Sequence, residues 1–118
     1  MFSLAAKCSL SGEHTKHRLG CVIVKGGAVL STGHNQLRYT KQLKKPTLHA
    51  EADAILKVLK GQNQHLLVGA VMYVSRYTRG GNIGLAMPCS NCLALIRSVG
   101  IKTVFYTTDE GTTEKMKV

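Results

Sequence analysis

The sequence predicts an α/β fold of three layers with a central mixed sheet, and three observations carry that expectation. Short β-branched apolar runs alternate with two segments of helical periodicity. A Gly-Gly pair joins the first two of those runs at hairpin spacing. The chain has 118 residues and no internal repeat, so residues 1–118 are expected to form one domain around one core.

Taken in order, residues 2–10 place Phe2, Ala5, Ala6 and Leu10 at helix-like spacing and suggest a short leading helix. Residues 20–25 (GCVIVK) read as a strand, Gly26-Gly27 as the turn and residues 28–33 (AVLSTG) as the returning strand. The stretch 36–47 is polar and basic and ends in Pro46-Thr47, a loop leading into a helix. Over residues 48–60, Ala52, Ile55, Leu56 and Leu59 fall at i, i+3, i+4 and i+7, and Gly61 stops the helix. Residues 70–75 (AVMYVS) read as a strand, and 76–87 as a loop or strand extension. A second helix follows Pro88 with Leu93, Ile96 and Val99 inward and Gly100 at its end, and residues 102–107 (KTVFYT) form the last strand. The polar tail from Thr108 carries no assignable element. The order α-β-β-α-β-α-β implies crossover helices between parallel neighbours, with helices over both faces.

Hydrophobic residues make up 44% of the chain and charged residues 19%, which is the composition of a folded domain and not of a disordered one. No apolar run approaches the ~18 residues that a membrane span needs. The first ten residues lack a basic leader, and Lys7 interrupts their apolar stretch, so a cytoplasmic location is expected. Sixteen Lys and Arg against six Asp and Glu give +10, which favours an anionic ligand. Between His14 and Ala50 there is no acid at all, and Lys41, Lys44 and Lys45 lie just upstream of the first long helix. Four cysteines are too few for a disulfide scaffold in such a chain, which leaves thiolate chemistry or metal binding.

Two short motifs, His49-Ala50-Glu51 and Pro88-Cys89-Ser90-Asn91-Cys92, stand at the starts of the two best helices. One helical turn brings the sulfurs of Cys89 and Cys92 to one side, and the field of a helix N-terminus favours the thiolates a metal requires. His49 can add a neutral imidazole. Two Cys and one His make a tetrahedral zinc site with one position open, the pattern of catalytic zinc. Hydrolytic chemistry there also needs a carboxyl group that moves a proton without binding the metal, and Glu51 fits that role. Asp53, the other nearby acid, reads as helix N-terminal stabilisation. Cys8 and Cys21 read as small core residues.

At these residues the sequence resembles the zinc-dependent cytidine and deoxycytidylate deaminase superfamily, which shares an H-x-E and P-C-x-x-C signature. The likeness runs from residues 18–24 (RLGCVIV) through Gly33-His34-Asn35 and His49-Ala50-Glu51 to the Pro88 helix and Ile101-Lys102-Thr103-Val104. It implies the cytidine-deaminase-like three-layer fold, with His49, Cys89 and Cys92 as zinc ligands, Glu51 as the acid and base, and no organic cofactor. Asn35 then resembles the family asparagine that touches sugar or base, and Ala50 and Pro88 line the base pocket. Asp53 departs from the asparagine common at its place in deoxycytidylate deaminases. The implied reaction is hydrolytic: water adds at C4 of cytosine or C6 of adenine, Glu51 relays the proton, and ammonia leaves.

The leading substrate on this resemblance is a cytosine nucleotide, dCMP going to dUMP, with a homo-oligomer expected. In the loop from Arg76 to Gly81, Arg76 and Arg79 would clamp a phosphate and Tyr77 would stack on a base. Two rivals stand beside it. A polynucleotide deaminase acting on cytosine in single-stranded nucleic acid, or on tRNA adenosine, accounts better for +10. An inactive zinc domain that binds nucleic acid or scaffolds a partner accounts for the metal motif alone.

Overall fold

Gly26 and Gly27 have φ of 58° and 82°, the left-handed pair that a two-residue hairpin turn demands. They join β1 (His17–Lys25) to β2 (Ala28–His34), as the sequence predicted. A computed structural model describes residues 17–37, 47–78 and 83–118 of the chain. The expected leading helix, Cys8, most of the basic loop and Arg79 lie outside them. The short strands β3 (Gln36–Leu37) and β4 (Thr47–Leu48) pair antiparallel and bring the two ends of the predicted 36–47 loop together.

Helix α1 (Ala50–Leu59) and strand β5 (Val71–Thr78) follow, then the two-residue β6 (Ile83–Gly84), helix α2 (Ser90–Ser98), β7 (Thr103–Thr107) and β8 (Thr113–Lys117). The main sheet runs β2-β1-β5-β7-β8, with β6 paired to the far end of β5. It is mixed, as expected, but the expected parallel pairing of the strands joined by crossovers holds only in part. β5 is parallel to β7, whereas its other neighbour is β1, antiparallel to it. β2 points the same way as β5 with β1 between them. The first crossover therefore spans one strand, because hairpin pairing had already occupied that side of β2.

Alternation in the strands separates two faces. Cys21, Ile23, Met72, Val74 and Val104 point into the main core with residues of both helices. Val22, Val24 and Tyr73 lie on the other face, where the Tyr73 and Phe105 rings stack with centroids 5.0 Å apart. Both described α-helices thus cover the same face, so the expected cover of both faces is not seen among the described residues.

Helix α1 is rotated from its predicted face. The periodicity put Ala52, Ile55, Leu56 and Leu59 inward, but the buried residues are Ala50, Glu51, Asp53, Ala54, Ile55 and Val58, and Leu56 is 38% exposed. The cause is the contact with β2. A Cβ on Gly33 would lie 2.6 Å from the Ala54 nitrogen and closer still to the Ala50 carbonyl. Only the alanine side of the helix can approach a strand so closely. In α2, Cys92 and Ile96 are buried and Val99 packs on the core as expected, joined by Leu95, while Leu93 is only half-buried. The unassigned tail forms β8 as an exposed edge strand. No helix among the described residues is long and apolar enough to cross a membrane.

Candidate active site

Strands β2, β5 and β7 run in one direction, and α1 and α2 follow the first two of them. Both helices therefore begin at the carboxyl ends of these strands, the usual place for a site in an α/β sheet. The N-cap residues there are His49 and Cys89, and neither side chain caps its own helix. The His49, Cys89 and Cys92 donor atoms all lie within 4.8 Å of one another. His49 Nδ1 is 3.2 Å from Cys92 Sγ and 3.7 Å from Cys89 Sγ. Ligand atoms around a tetrahedral zinc are about 3.5–3.8 Å apart, so this cluster is close to the size of a zinc coordination edge. Cys92 is buried while His49 and Cys89 are exposed, which leaves the centre open on one side. Among the described residues no other His, Cys, Asp or Glu joins the cluster, and Cys89 and Cys92 are free of disulfides.

Glu51, one residue into α1, is 4% exposed, and its Oε1 is buried with no hydrogen-bond partner. Burial raises its pKa above the usual carboxylate range, opposed by hydrogen bonding to its own backbone, by the nearby His49 and by a hydrogen bond with Cys92. Burial likewise pushes the Cys92 thiol up, and the charge of Glu51 and the neighbouring Cys89 thiol push it further. Two clustered sulfurs beside an imidazole and a buried carboxyl with an orphaned oxygen are a donor set suited to a divalent cation. A divalent ion would deprotonate the thiols outright and favour an ionised carboxylate beside them. The donor set therefore fits zinc.

The pairing of β3 with β4 also brings Asn35 near His49. Gln36 pairs with Leu48, so Asn35 and His49 fall opposite each other one step beyond. Asn35 is 7% exposed and is held to β1 at two points: Leu19 N donates to its Oδ1 at 3.1 Å, and its own N–H donates to Leu19 O at 3.2 Å. Ala50 and Pro88 are buried beside the two N-caps. Arg76 Nη1 donates to the Leu85 carbonyl at 3.2 Å, which ties β5 to the segment leading into Pro88. Tyr77 occupies β5, with its side chain outside the described part.

Three residues have more structure around them than their sequence context suggested. The buried Asp53 carboxylate accepts from His34 N at 3.2 Å and pairs with Lys57 at 3.3 Å, and Lys57 also reaches the Thr32 carbonyl. This strap fixes α1 to β2; its only sequence signal is an acid in the first helical turn. Thr107 and Asp109 bond the backbone just before Pro88. Nothing in a strand-end threonine or a turn aspartate announces that.

Residues 1–108 match the family model for the cytidine and deoxycytidylate deaminase zinc-binding region. A guanine deaminase of Bacillus subtilis (strain 168) is 34% identical over 87 residues, covering 74% of this chain and 47% of that protein. A tRNA-specific adenosine deaminase of Aquifex aeolicus (strain VF5) is 33% identical over 93 residues, covering 78% of this chain and 53% of that protein. The chain thus spans about half the length of these curated relatives. Among solved structures, apo dCMP deaminase of cyanophage S-TIM5 superposes with a TM-score of 0.70 at 22% identity, over 90% of this chain and 78% of the other. Cytidine deaminase of Burkholderia pseudomallei does so at 0.68 and 17%, over 99% and 92%. At such identities these likenesses show the fold, which is the cytidine-deaminase-like fold.

Proposed function

Because the chain belongs to the cytidine and deoxycytidylate deaminase family, we propose that it hydrolytically removes the amino group of a nucleobase, with His49, Cys89 and Cys92 holding zinc and Glu51 moving the proton. The observation that carries this reading is a three-donor cluster open on one side, next to a buried Glu51 Oε1 with no partner. Zinc bound there supplies the Lewis acidity that makes water a competent nucleophile near neutral pH. Glu51 takes one proton from the attacking water and passes it to the ring nitrogen, then carries the remaining hydroxyl proton to the leaving amino group. Water is consumed, the amino carbon becomes a carbonyl, and ammonia departs. Asn35, Ala50 and Pro88 border the base, while Arg76 and Tyr77 stand further out at the end of β5. The bond from Arg76 to Leu85 supports a shaping role for its guanidinium more than a phosphate clamp.

A mononucleotide such as dCMP remains one reading of the substrate, supported by the fold shared with the phage dCMP deaminase. A second has its own support: the tRNA-specific relative is more similar in sequence, and a charge of +10 suits a polyanion. We further infer one domain over residues 1–118, a cytoplasmic location and a homo-oligomer.

Zinc-loaded protein should release ammonia from at least one of dCMP, CMP, deoxycytidine, guanine, single-stranded DNA and tRNA. A polynucleotide making 6–10 phosphate contacts should lose about 10³-fold or more in affinity between 50 and 200 mM salt, and a mononucleotide far less. Glu51→Ala should keep its zinc and lose ammonia release. A variant that deaminates normally would overturn the role of Glu51, and a wild type silent on the whole panel would favour a zinc-binding scaffold.

A further inference from the structure

We propose that Thr107 and Asp109 are positioning residues for the metal centre, acting through the backbone of residues 84–86 on the entry of Cys89. The inference rests on the zinc reading above and extends it to residues that touch neither metal nor substrate.

The three donors are secured differently. Cys92 lies within α2 and is buried. His49 adjoins Ala50, which packs directly against Gly33, and the His49 carbonyl accepts from Asp53 N at 2.9 Å. Cys89 is an exposed N-cap residue, held on its helix side by Leu93 N donating to its carbonyl at 2.8 Å. Where its sulfur lies therefore depends on how the preceding chain arrives.

That chain is fastened at three consecutive residues. The Thr107 hydroxyl donates to Gly84 O at 2.7 Å and accepts from Arg76 N at 3.3 Å. Arg76 and Gly84 are register partners of β5 and β6, so this one side chain bonds the backbone of both strands. Leu85 N donates to Asp109 Oδ1 at 3.0 Å, and Ala86 N donates to the Thr107 carbonyl at 2.9 Å. From Ala86 only three residues remain to Cys89, about 10 Å of extended chain. One of them is the buried Pro88, whose ring fixes φ. Leu85 and Met87 alternate outward into solvent, so only the small Ala86 and Pro88 pack inward between them. The bonds from the end of β7 and the turn after it add to that packing, and on this proposal they set the distance between Cys89 and the imidazole on the other helix.

The test uses the full chain carrying Thr107→Val, Thr107→Ser, Asp109→Ala or Asp109→Asn. Three measurements are made on each: zinc affinity by competition with a chromophoric chelator, the visible spectrum of the Co(II)-substituted protein, and metal-free thermal unfolding. Removal of outer groups that orient a metal ligand weakens binding about 10–100-fold. Thr107→Val and Asp109→Ala should show a loss of that order and an altered thiolate-to-cobalt band, while Thr107→Ser and Asp109→Asn, which keep the accepting oxygen, should return both towards wild type. Folded valine and alanine variants with unchanged zinc affinity and cobalt spectrum would overturn the proposal, as would serine and asparagine variants that fail to restore them. If Thr107→Val does not fold, the exposed Asp109 pair decides alone. A wild type that binds neither zinc nor cobalt would instead overturn the metal reading itself.

Discussion

Replacing Gly33 with alanine puts a methyl group where α1 lies against β2. The new Cβ would sit 2.6 Å from Ala54 N, 3.0 Å from Ala54 Cβ and nearer still to the Ala50 carbonyl. Ordinary contact needs about 3.4 Å or more, and backbone atoms cannot rotate aside, so the helix must retreat by roughly 0.5–1 Å. Overpacking of this kind costs about 1–3 kcal/mol, and the upper part of that range, about 2–3 kcal/mol, applies where the obstacle is main chain. At roughly 3–5 °C per kcal/mol for a chain of this size, Tm should fall by roughly 6–15 °C. The retreat carries His49 and Glu51 with it, and a displacement near 1 Å can lower a rate about 100-fold. Gly61→Ala is the control, since its Cβ would meet only Val58 O, at an ordinary 3.6 Å. The assay is thermal unfolding with zinc content and ammonia release measured in parallel. A Gly33→Ala protein that melts within about 2 °C of wild type and keeps its zinc would refute the claim that this approach sets the metal geometry.

Further outcomes follow from the same site. Burial raises the Glu51 pKa above its unfolded value, so the native state prefers the protonated form and is destabilised as pH rises through that range. Glu51→Gln should therefore melt higher than wild type in the metal-free state at pH 7.5, with the gap closing towards pH 4; no gap at pH 7.5 contradicts the burial. Burial also holds the Cys92 thiol protonated without metal, so zinc binding should release protons and strengthen as pH rises, as calorimetry in buffers of different ionisation enthalpy can measure. Asp53→Ala removes the acceptor for His34 N and the partner of Lys57 and should lower stability by about 1–3 kcal/mol in urea unfolding. Lys57→Ala should cost less than about 1 kcal/mol, because the lysine end of that pair is half exposed.

The parts of the fold legible in the sequence are those where one residue type answers a local demand. Gly26-Gly27 fixed the hairpin because two successive positive φ angles suit glycine, and the two metal motifs located the helix starts. The face of α1 was not legible, since Leu56 fits the helical period as well as Val58 does and only the strand at Gly33 separates them. Sheet order was hidden for a related reason. Nothing local in β1 says that it will lie between β2 and β5. Strand β8 escaped because an edge strand can be almost wholly polar, with Thr113, Glu114 and Lys115 all exposed. At the site, the donors and Glu51 were readable as motifs, whereas the supports at Asp53, Thr107 and Asp109 arise from pairings across 19 to 24 residues.

His49 and Cys89 occupy places where serine or aspartate would normally close the first helical turn, and neither does so. Such a closure contributes about 0.5–2 kcal/mol to each helix. Both helices thus begin unfastened, and a single ion gripped by the two starting residues is what would clasp them. Stripping it should loosen α1 and α2 together, so that amide exchange at Glu51 and Asn91 quickens in concert while the hairpin of β1 and β2 stays protected.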